Sequence, residues 1–431
     1  MMAQTDTLNA RWKARFFTIW TGQAFSLFGS QLVQFALVWW LTETTHSATI
    51  LATATLVAVL PQVILGPISG PLIDRWNRKR VMMTADSLVA LATLVLVMLC
   101  ATRTIEIWHV YLVMFFRSAA GSFHFPSMQA STSLIVPENQ LARVAGLNQM
   151  LQGLMSIVAP PAGALLIGVL PMHSVLLIDI VTALIAVLSL AVVHIPQPER
   201  AANASGQSGL ATFWQDMRGG FTYILNWRGL TILIGIAMIF NLVIMPAISL
   251  VPLLVTNHFG GHEGELAALN SAMGIGMVIG SIALSIWGGF KRQIFTILMG
   301  ALGMSACFII VGLAPSSAFG LAVATFSLLG IMQPITNGPL FAILQSVVAP
   351  EMQGRVFTLL MSGTALMMPL GLAVTGPLAD RIGILPMYII AGVVCVVVTV
   401  AGLFSPAVLN LENHHQTVGI APTAEATTGA D

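Results

Sequence analysis

Charge is what this chain has least of. Of its 431 residues only 8% are Asp, Glu, Lys or Arg, while 57% are hydrophobic; a typical soluble domain carries roughly 25% charged residues. A soluble globule of this composition would have too little polar surface to show to water. Cysteine is scarce too: Cys100, Cys307 and Cys395 fall inside or at the end of apolar runs with no metal-ligand spacing. They read as packing residues, which leaves thiol and zinc chemistry without a site. No Gly-Lys-Ser/Thr phosphate loop occurs, so ATP is not hydrolysed within this chain. Nor is there a paired nucleophile and base or a fused soluble domain, which argues against an enzyme. The formal net charge of +1 gives no sign of a nucleic-acid partner.

What is present is apolar length. A helix needs about 20 apolar residues to cross the ~30 Å hydrocarbon core, and twelve such runs occur, near 16–41, 48–72, 81–102, 107–128, 144–169, 173–194, 229–255, 266–289, 293–313, 317–345, 355–379 and 383–406. The first is too long for the core of a cleaved signal and reads as a retained helix. The expected fold is therefore an all-α membrane protein of twelve transmembrane helices.

The basic residues orient it. Arg11, Lys13, Arg15, Arg75, Arg78, Lys79, Arg80, Arg143, Arg200, Arg218, Arg228, Lys291, Arg292 and Arg355 all fall in the amino-terminal segment or in even-numbered connections. The odd-numbered connections hold Arg103 and Arg381, with Glu43, Glu106, Glu263, Glu265 and Asp380. Lysine and arginine concentrate on the cytoplasmic side, so a multi-pass protein of the plasma (inner) membrane with both termini cytoplasmic is expected.

The runs divide six and six about a polar stretch, 196–228, read as a cytoplasmic linker between a bundle over 1–195 and another over 229–406; residues 407–431 read as a disordered tail. Internal similarity supports duplication. Pro126, Val136-Pro137-Glu138 and Arg143-Val144 are echoed by Pro339, Ala349-Pro350-Glu351 and Arg355-Val356 at offsets of 213 and 212, and Lys79-Arg80 falls on Lys291-Arg292 at 212. Generic apolar composition does not explain paired Pro-Glu and Arg-Val elements in matching connections. Such repeats are typical of secondary transporters, whose substrate site lies between the halves.

The most specific segment is Gly70-Pro71-Leu72-Ile73-Asp74-Arg75-Trp76-Asn77-Arg78-Lys79-Arg80. It resembles the signature loop of the major facilitator superfamily, with Asn77 at the family's usual glycine. A turn this tight often demands positive φ, which Asn tolerates better than most residues; the counterpart at offset 212 is Gly289. The resemblance implies that Gly70, Asp74, Arg75, Arg78, Lys79 and Arg80 form a cytoplasmic gate, with Asp74 contacting the other half. A pure topology signal accounts for the basic run but needs no acid. Asp86, about five residues beyond the run, is grouped with it, an ion pair with Arg78 or Arg80 being the simplest account.

Inside the spans, each charge requires a partner or a wet cavity. Arg117 lies in Arg117-Ser118-Ala119-Ala120-Gly121, which resembles the family's Arg-x-x-x-Gly element associated with proton coupling, and Arg117, Gly121, His124 and Met128 share one helical stripe. Arg117 and Asp179 are thus the expected coupling groups, although either could instead hold helices together. His124 could carry protons or be a satisfied polar residue. Gln23, Ser26, Ser30 and Gln34 form a polar stripe about 80° wide on helix 1, which in lipid must face protein or water. With Arg117, His124, Asn241, Gln333, Asn337 and Phe341 they make the expected substrate cavity, since the resemblance puts helices 1, 4, 7 and 10 around it; Met and Phe240 would suit a loosely specific apolar pocket. Ala159-Pro160-Pro161-Ala162-Gly163-Ala164 resembles a degraded Gly-Pro-x-x-Gly-Gly antiporter element.

Across nearly the whole chain the sequence is similar to major facilitators of the macrolide-efflux type. This implies proton-coupled export of a hydrophobic or amphiphilic drug-like compound by alternating access, with no cofactor, no metal and a monomeric protein. Siderophore export and lysophospholipid flipping are the alternatives.

Overall fold

The computed structural model describes residues 2–195, 218–219, 221–348 and 350–414. Most of the expected linker, and residues 415–431 of the expected tail, lie outside the described residues. Twelve long helices carry the fold: α1 Met2–Thr45, α2 Ala48–Arg75, α3 Arg78–Ala101, α4 Ile107–Ile135, α5 Glu138–Val169, α6 Met172–Val192, α7 Arg228–Ser249, α8 Glu263–Trp287, α9 Gln293–Leu313, α10 Phe319–Val347, α11 Pro350–Ile382 and α12 Ile384–Leu403. Eleven are long and apolar enough to cross a membrane; the exception is α4. Its shortfall comes from Arg117, Ser118, Ser122, His124, Ser127, Gln129, Ser131 and Thr132, polar residues that a cavity-facing helix can carry and a lipid-facing one cannot.

The helix ends follow local chemistry. Ser47 caps α2, its Oγ accepting from Ile50 N, and Asn77 caps α3, its Oδ1 accepting from Arg80 N at 3.1 Å. Asn77 corrects the expectation of a left-handed turn: its φ is −72° and its backbone extended. The position needs a side-chain acceptor for a helix N-terminus, and Asn supplies one. In the second half positive φ is used, at Gly288 (74°) and Gly289 (82°). The tail boundary at 406 also needs correcting. Residues Pro406–Leu409 and Leu411–His414 form short helical turns, Val408 and Leu411 are fully buried, and Glu412 Oε1 accepts from Ile294 N at the start of α9, 2.7 Å away. A carboxylate at a helix N-terminus satisfies an orphan donor and opposes the helix dipole, so this segment is held under the second half.

Close helix pairs depend on small residues, as expected where lipid offers little drive for association. A side chain at Gly276 or Gly280 of α8 would strike the backbone of Ser327 or Ile331 in α10, and one at Gly330 would strike Met273 in return.

The first six helices pack mainly among themselves, as do the last six, and α2 against α11 and α5 against α8 join the halves. Both joints hydrogen-bond toward the face opposite the basic connections. The Asp380 carboxylate at the end of α11 accepts from Ser47 Oγ (3.0 Å), Ala48 N (2.7 Å) and Thr49 N (3.0 Å) at the start of α2. On α5, Pro161 has no N–H to offer the Ile157 carbonyl one turn back; Ser271 Oγ of α8 donates to it at 3.1 Å, and Gly274 lets the helices approach there. The apolar clusters agree. Phe35, Trp39 and Ala164 pack with second-half residues such as Val251 and Leu254, and Leu37, Leu41 and Ala48 with Leu250, Leu253 and Ala379. At the basic face the clusters around Leu230 and Ile294, around Ile19 and Met82, and around Phe16 and Val144 each belong to one half. The halves are therefore sealed together at one face, and among the described residues no apolar cluster joins them at the other.

If the Asp380 carboxylate holds that seal, Asp380→Ala removes the charged partner of Ala48 N and Thr49 N and leaves α2 only its neutral Ser47 cap. A charge at a helix end contributes up to about 1 kcal/mol at an exposed site, so the population opened at this face should rise about fivefold. Spin-label distances between positions 45 and 383 measure it; an unchanged distance distribution would show that the carboxylate is not what joins the halves.

Candidate functional site

Two concavities, one in each half, make the candidate site. The first half encloses a cavity of about 900 Å³, lined by α1, α2, α3, α4, α5 and α6. Gln23, Ser26, Ser30, Gln34, Arg117 and His124 all line it, as the polar stripes predict, and so does Asp86. A Cβ at Gly121 would meet open space, so the room expected beside Arg117 is there. The second half offers a smaller recess of about 130 Å³ between α7, α9 and α10, where Asn241, Gln333 and Asn337 sit among Phe240, Met245, Met304, Ile236 and Leu340. Asn241 Nδ2 spends its hydrogen bond on Ala237 O of its own helix, whereas the buried Gln333 Oε1 has no protein donor. Phe341 is not part of this lining; it stacks on Phe357 of α11 with ring centroids 6.0 Å apart.

The intramembrane charges separate into two networks. Asp179 on α6 is fully buried and ion-paired with Arg117 of α4; it also accepts from Ser30 Oγ (3.1 Å) and Thr93 Oγ1 (2.9 Å), while Arg117 Nη1 reaches Thr93 Oγ1 at 2.7 Å. Four helices thus meet on one satisfied carboxylate. A side chain at Gly29 of α1 would collide with Thr182 and Asp179, so close α1–α6 packing seals the site. Asp86 is different. Its Oδ2 accepts from Gln23 Nε2 at 3.0 Å, and its Oδ1 lies 3.3 Å from His124 Nε2, within ion-pair range but off the line a hydrogen bond needs. The expected pairing with Arg78 or Arg80 is therefore replaced. Asp86 falls on the cavity side of α3, eight residues on from Arg78 at the helix start.

Two members of the basic run reach carbonyls of other first-half helices. Arg78 Nη1 donates to Ala130 O of α4 at 2.8 Å, and Lys79 Nζ donates to Ala191 O (2.8 Å) and Val193 O (2.9 Å), covering the carbonyl end of α6. Arg80 is exposed at the start of α3. The surroundings of Gly70, Asp74 and Arg75 lie outside the described residues, so the gate expected there is neither built nor broken by these contacts.

Comparison with known proteins fits this architecture. The family model for the Major Facilitator Superfamily matches residues 19–372. The chain belongs to that superfamily of membrane transporters. As a major facilitator it is 35% identical to macrolide efflux protein A of Streptococcus pyogenes, over 90% of this chain and 95% of that protein. It is 33% identical to macrolide efflux protein A of Enterococcus faecalis, over 74% and 97% of the two chains, and 25% identical to the multidrug efflux pump Tap of Mycobacterium bovis, over 85% and 86%. Among solved structures, the nucleoside transporter NupG superposes with a TM-score of 0.67 at 15% identity, covering 88% of this chain and 97% of that one. A POT family transporter in complex with 5-aminolevulinic acid reaches 0.69 at 12%, covering 91% and 96%. At those identities the structures establish the shared fold.

Several lining residues of this transporter went unread in the sequence: Gln31, Gln62, Gln129, Asn148, Gln149 and Gln152. Their signal was available, since amides inside spanning helices must face protein or water; Asn148 Oδ1 accepts from Trp20 Nε1 at 2.9 Å and ties α5 to α1.

Breaking the sealed pair from one side should be costly. Asp179→Asn strands the Arg117 guanidinium, a loss of about 3–5 kcal/mol for an uncompensated buried charge, whereas Asp179→Asn with Arg117→Met should recover most of the stability. Thermal unfolding in detergent compares the two; a double variant as unstable as the single would show that the pair is not what sets the cost.

Proposed function

We propose that this protein exports a lipophilic, drug-like compound of the macrolide type by alternating access, with proton entry driving drug exit. The observation that carries the reading is the asymmetry of the two concavities. One half presents amides, hydroxyls and the charged Asp86 and Arg117 beside Leu27, Met114, Phe125 and Met128, and the other presents Phe, Met and Leu around three amides and the Thr336 hydroxyl, with no charge. A ligand fitting both would be amphiphilic, with an apolar body for the second half and polar groups for the first. Kinship with the macrolide efflux proteins and the Tap pump supports both the direction and the substrate class.

The basic face is taken to be cytoplasmic, on the distribution of lysine and arginine. On this reading the basic ends, which share no apolar cluster among the described residues, give the ligand its way in, and opening of the Asp380 and Ser271 joints gives it its way out. No ligand that binds both states equally could shift this equilibrium, so something must tell them apart. We assign that task to the intramembrane acids. Protonation of Asp179 would release Arg117 from its partner, and Asp86 with His124 offers a second titratable pair facing the cavity. Uncompensated charge there is costly in low dielectric, so the proton state changes which arrangement of helices is favoured.

In a host lacking its own efflux pumps, expression should lower steady-state macrolide accumulation and raise the inhibitory concentration, and a proton uncoupler should abolish both effects. Export that survives the uncoupler would remove proton coupling. Unchanged macrolide accumulation alongside export of other amphiphiles would remove the substrate class and leave the transport mechanism standing.

A further inference from the structure

A second concavity of the first half adjoins the central cavity, with which it shares only Ala85 and Ala120 of its lining. It measures about 540 Å³ and is bounded by the turn between α2 and α3, the first turns of α3, and α4. Trp76 and Phe123 form one wall, their rings 6.1 Å apart and inclined by 31°. Val81, Ala85, Leu88 and Ala120 make its apolar floor, and Arg80 stands at its mouth.

Three observations set it apart from a generic surface dent. In the basic run, Arg78 and Lys79 are engaged with the carbonyls of Ala130, Ala191 and Val193. Among the described residues the Arg80 guanidinium has no protein partner; only its backbone is bonded, to Asn77 and Thr84. Next, Trp76 is half exposed at the basic end of the helices, the level at which an amphipathic indole sits at a membrane interface. Finally, the floor does not end in solvent. Leu88 begins an exposed stripe, Leu88, Leu91, Val95 and Met98, at the three- and four-residue spacing of a single helix face. That face of α3 is turned to hydrocarbon, so the concavity opens into the bilayer about 12 Å along the helix from Arg80, at 1.5 Å per residue.

We propose that this groove binds an anionic phospholipid, with the phosphate on Arg80, the glycerol region against Trp76 and Asn77, and the first acyl methylenes along Val81, Ala85 and Leu88. Arginine forms a planar fork suited to phosphate, basic pockets between helices on the cytoplasmic side hold lipid headgroups, and the apolar floor rewards a tail that a free anion does not have. The assignment is independent of what the central cavity transports.

Lipid quenching of tryptophan tests it. The full chain is reconstituted in phosphatidylcholine vesicles containing phosphatidylglycerol or phosphatidylcholine brominated near the top of one acyl chain. The signal of Trp76 is taken as the difference between wild type and Trp76→Phe, since the chain has nine tryptophans. Brominated phosphatidylglycerol should quench Trp76 with an apparent affinity about fivefold above that of brominated phosphatidylcholine, the gain expected from one arginine near the surface. Arg80→Gln should erase the preference, Arg80→Lys should keep most of it, and added salt should shrink it in the wild type. Equal quenching by the two lipids in the wild type, at low salt, overturns the proposal even if Arg80→Gln fails to insert. Relief of quenching by millimolar inorganic phosphate or glycerol phosphate overturns the lipid assignment in favour of a free-phosphate site.

Discussion

Hydrocarbon solvates neither a charge nor an unpaired peptide group, and the arrangement of this protein follows from where it puts the few polar groups it has. Twelve helices satisfy their own backbones, which leaves the side chains. Arg117, Asp179 and Asp86 are tolerable only because neighbouring helices present hydroxyls, an amide and an imidazole to them. Those partners come from α1, α3, α4 and α6, so satisfying three charges also fixes how four helices of the first half pack. The second half has no intramembrane charge to satisfy and is held by backbone approach at Gly276, Gly280 and Gly330. Both repeats use close approach at small residues, Gly22 and Gly29 in the first and Gly276, Gly280 and Gly330 in the second, and the first adds a polar network around its charges.

That divergence is visible wherever the halves can be compared position by position. The turn after α2 is closed by an Asn cap and the turn after α8 by two left-handed glycines. At the sealed face, Asp380 caps the start of α2, while the equivalent position at offset 212 is Gly168, which lies beside Glu263 at the start of α8. One joint is therefore electrostatic. The other relies on the Ile157 carbonyl that Pro161 leaves free, received by Ser271. Neither joint buries an unsatisfied charge when broken, since water can take over each hydrogen bond, and the proposed alternating access needs contacts of that kind.

Most of the fold was legible because apolar length is a one-dimensional signal. Eleven spans declare themselves by composition, and the twelfth, α4, is recognisable by position although its polarity blurs it. The cavity was partly legible for the same reason in reverse: Gln23, Ser26, Ser30 and Gln34 stand out against an apolar helix, and all four line it. What the sequence hid were relations across helices. Asp86 looked like a member of the basic run because it is near that run in the chain, whereas helical rotation points it to Gln23 and His124. Phe341 shares a helix with Gln333 and Asn337 but stacks on Phe357 of α11. Asp380 read as one more acid on the sparsely basic face, because its partners, Ser47 to Thr49, are more than 330 residues away in the chain. Residues 407–414 read as polar tail because the burial of Val408 and Leu411 depends on a surface formed only when α7, α9 and α12 are assembled.

The contrast between the two first-half acids bears on how such a chain could couple proton and ligand. Asp179 receives an ion pair and two hydroxyl hydrogen bonds and has no exposure, so neither a proton nor a ligand reaches it without helix movement. Asp86 receives one amide hydrogen bond and a misaligned imidazole, and it lines the cavity. A group that is open in one state and sealed in another reports conformation to the solvent; a group always open reports only pH. On the proposed proton-coupled reading, Asp179 meets the first condition where the α1–α6 seam at Gly29 opens, whereas Asp86 lines the cavity already and meets the second.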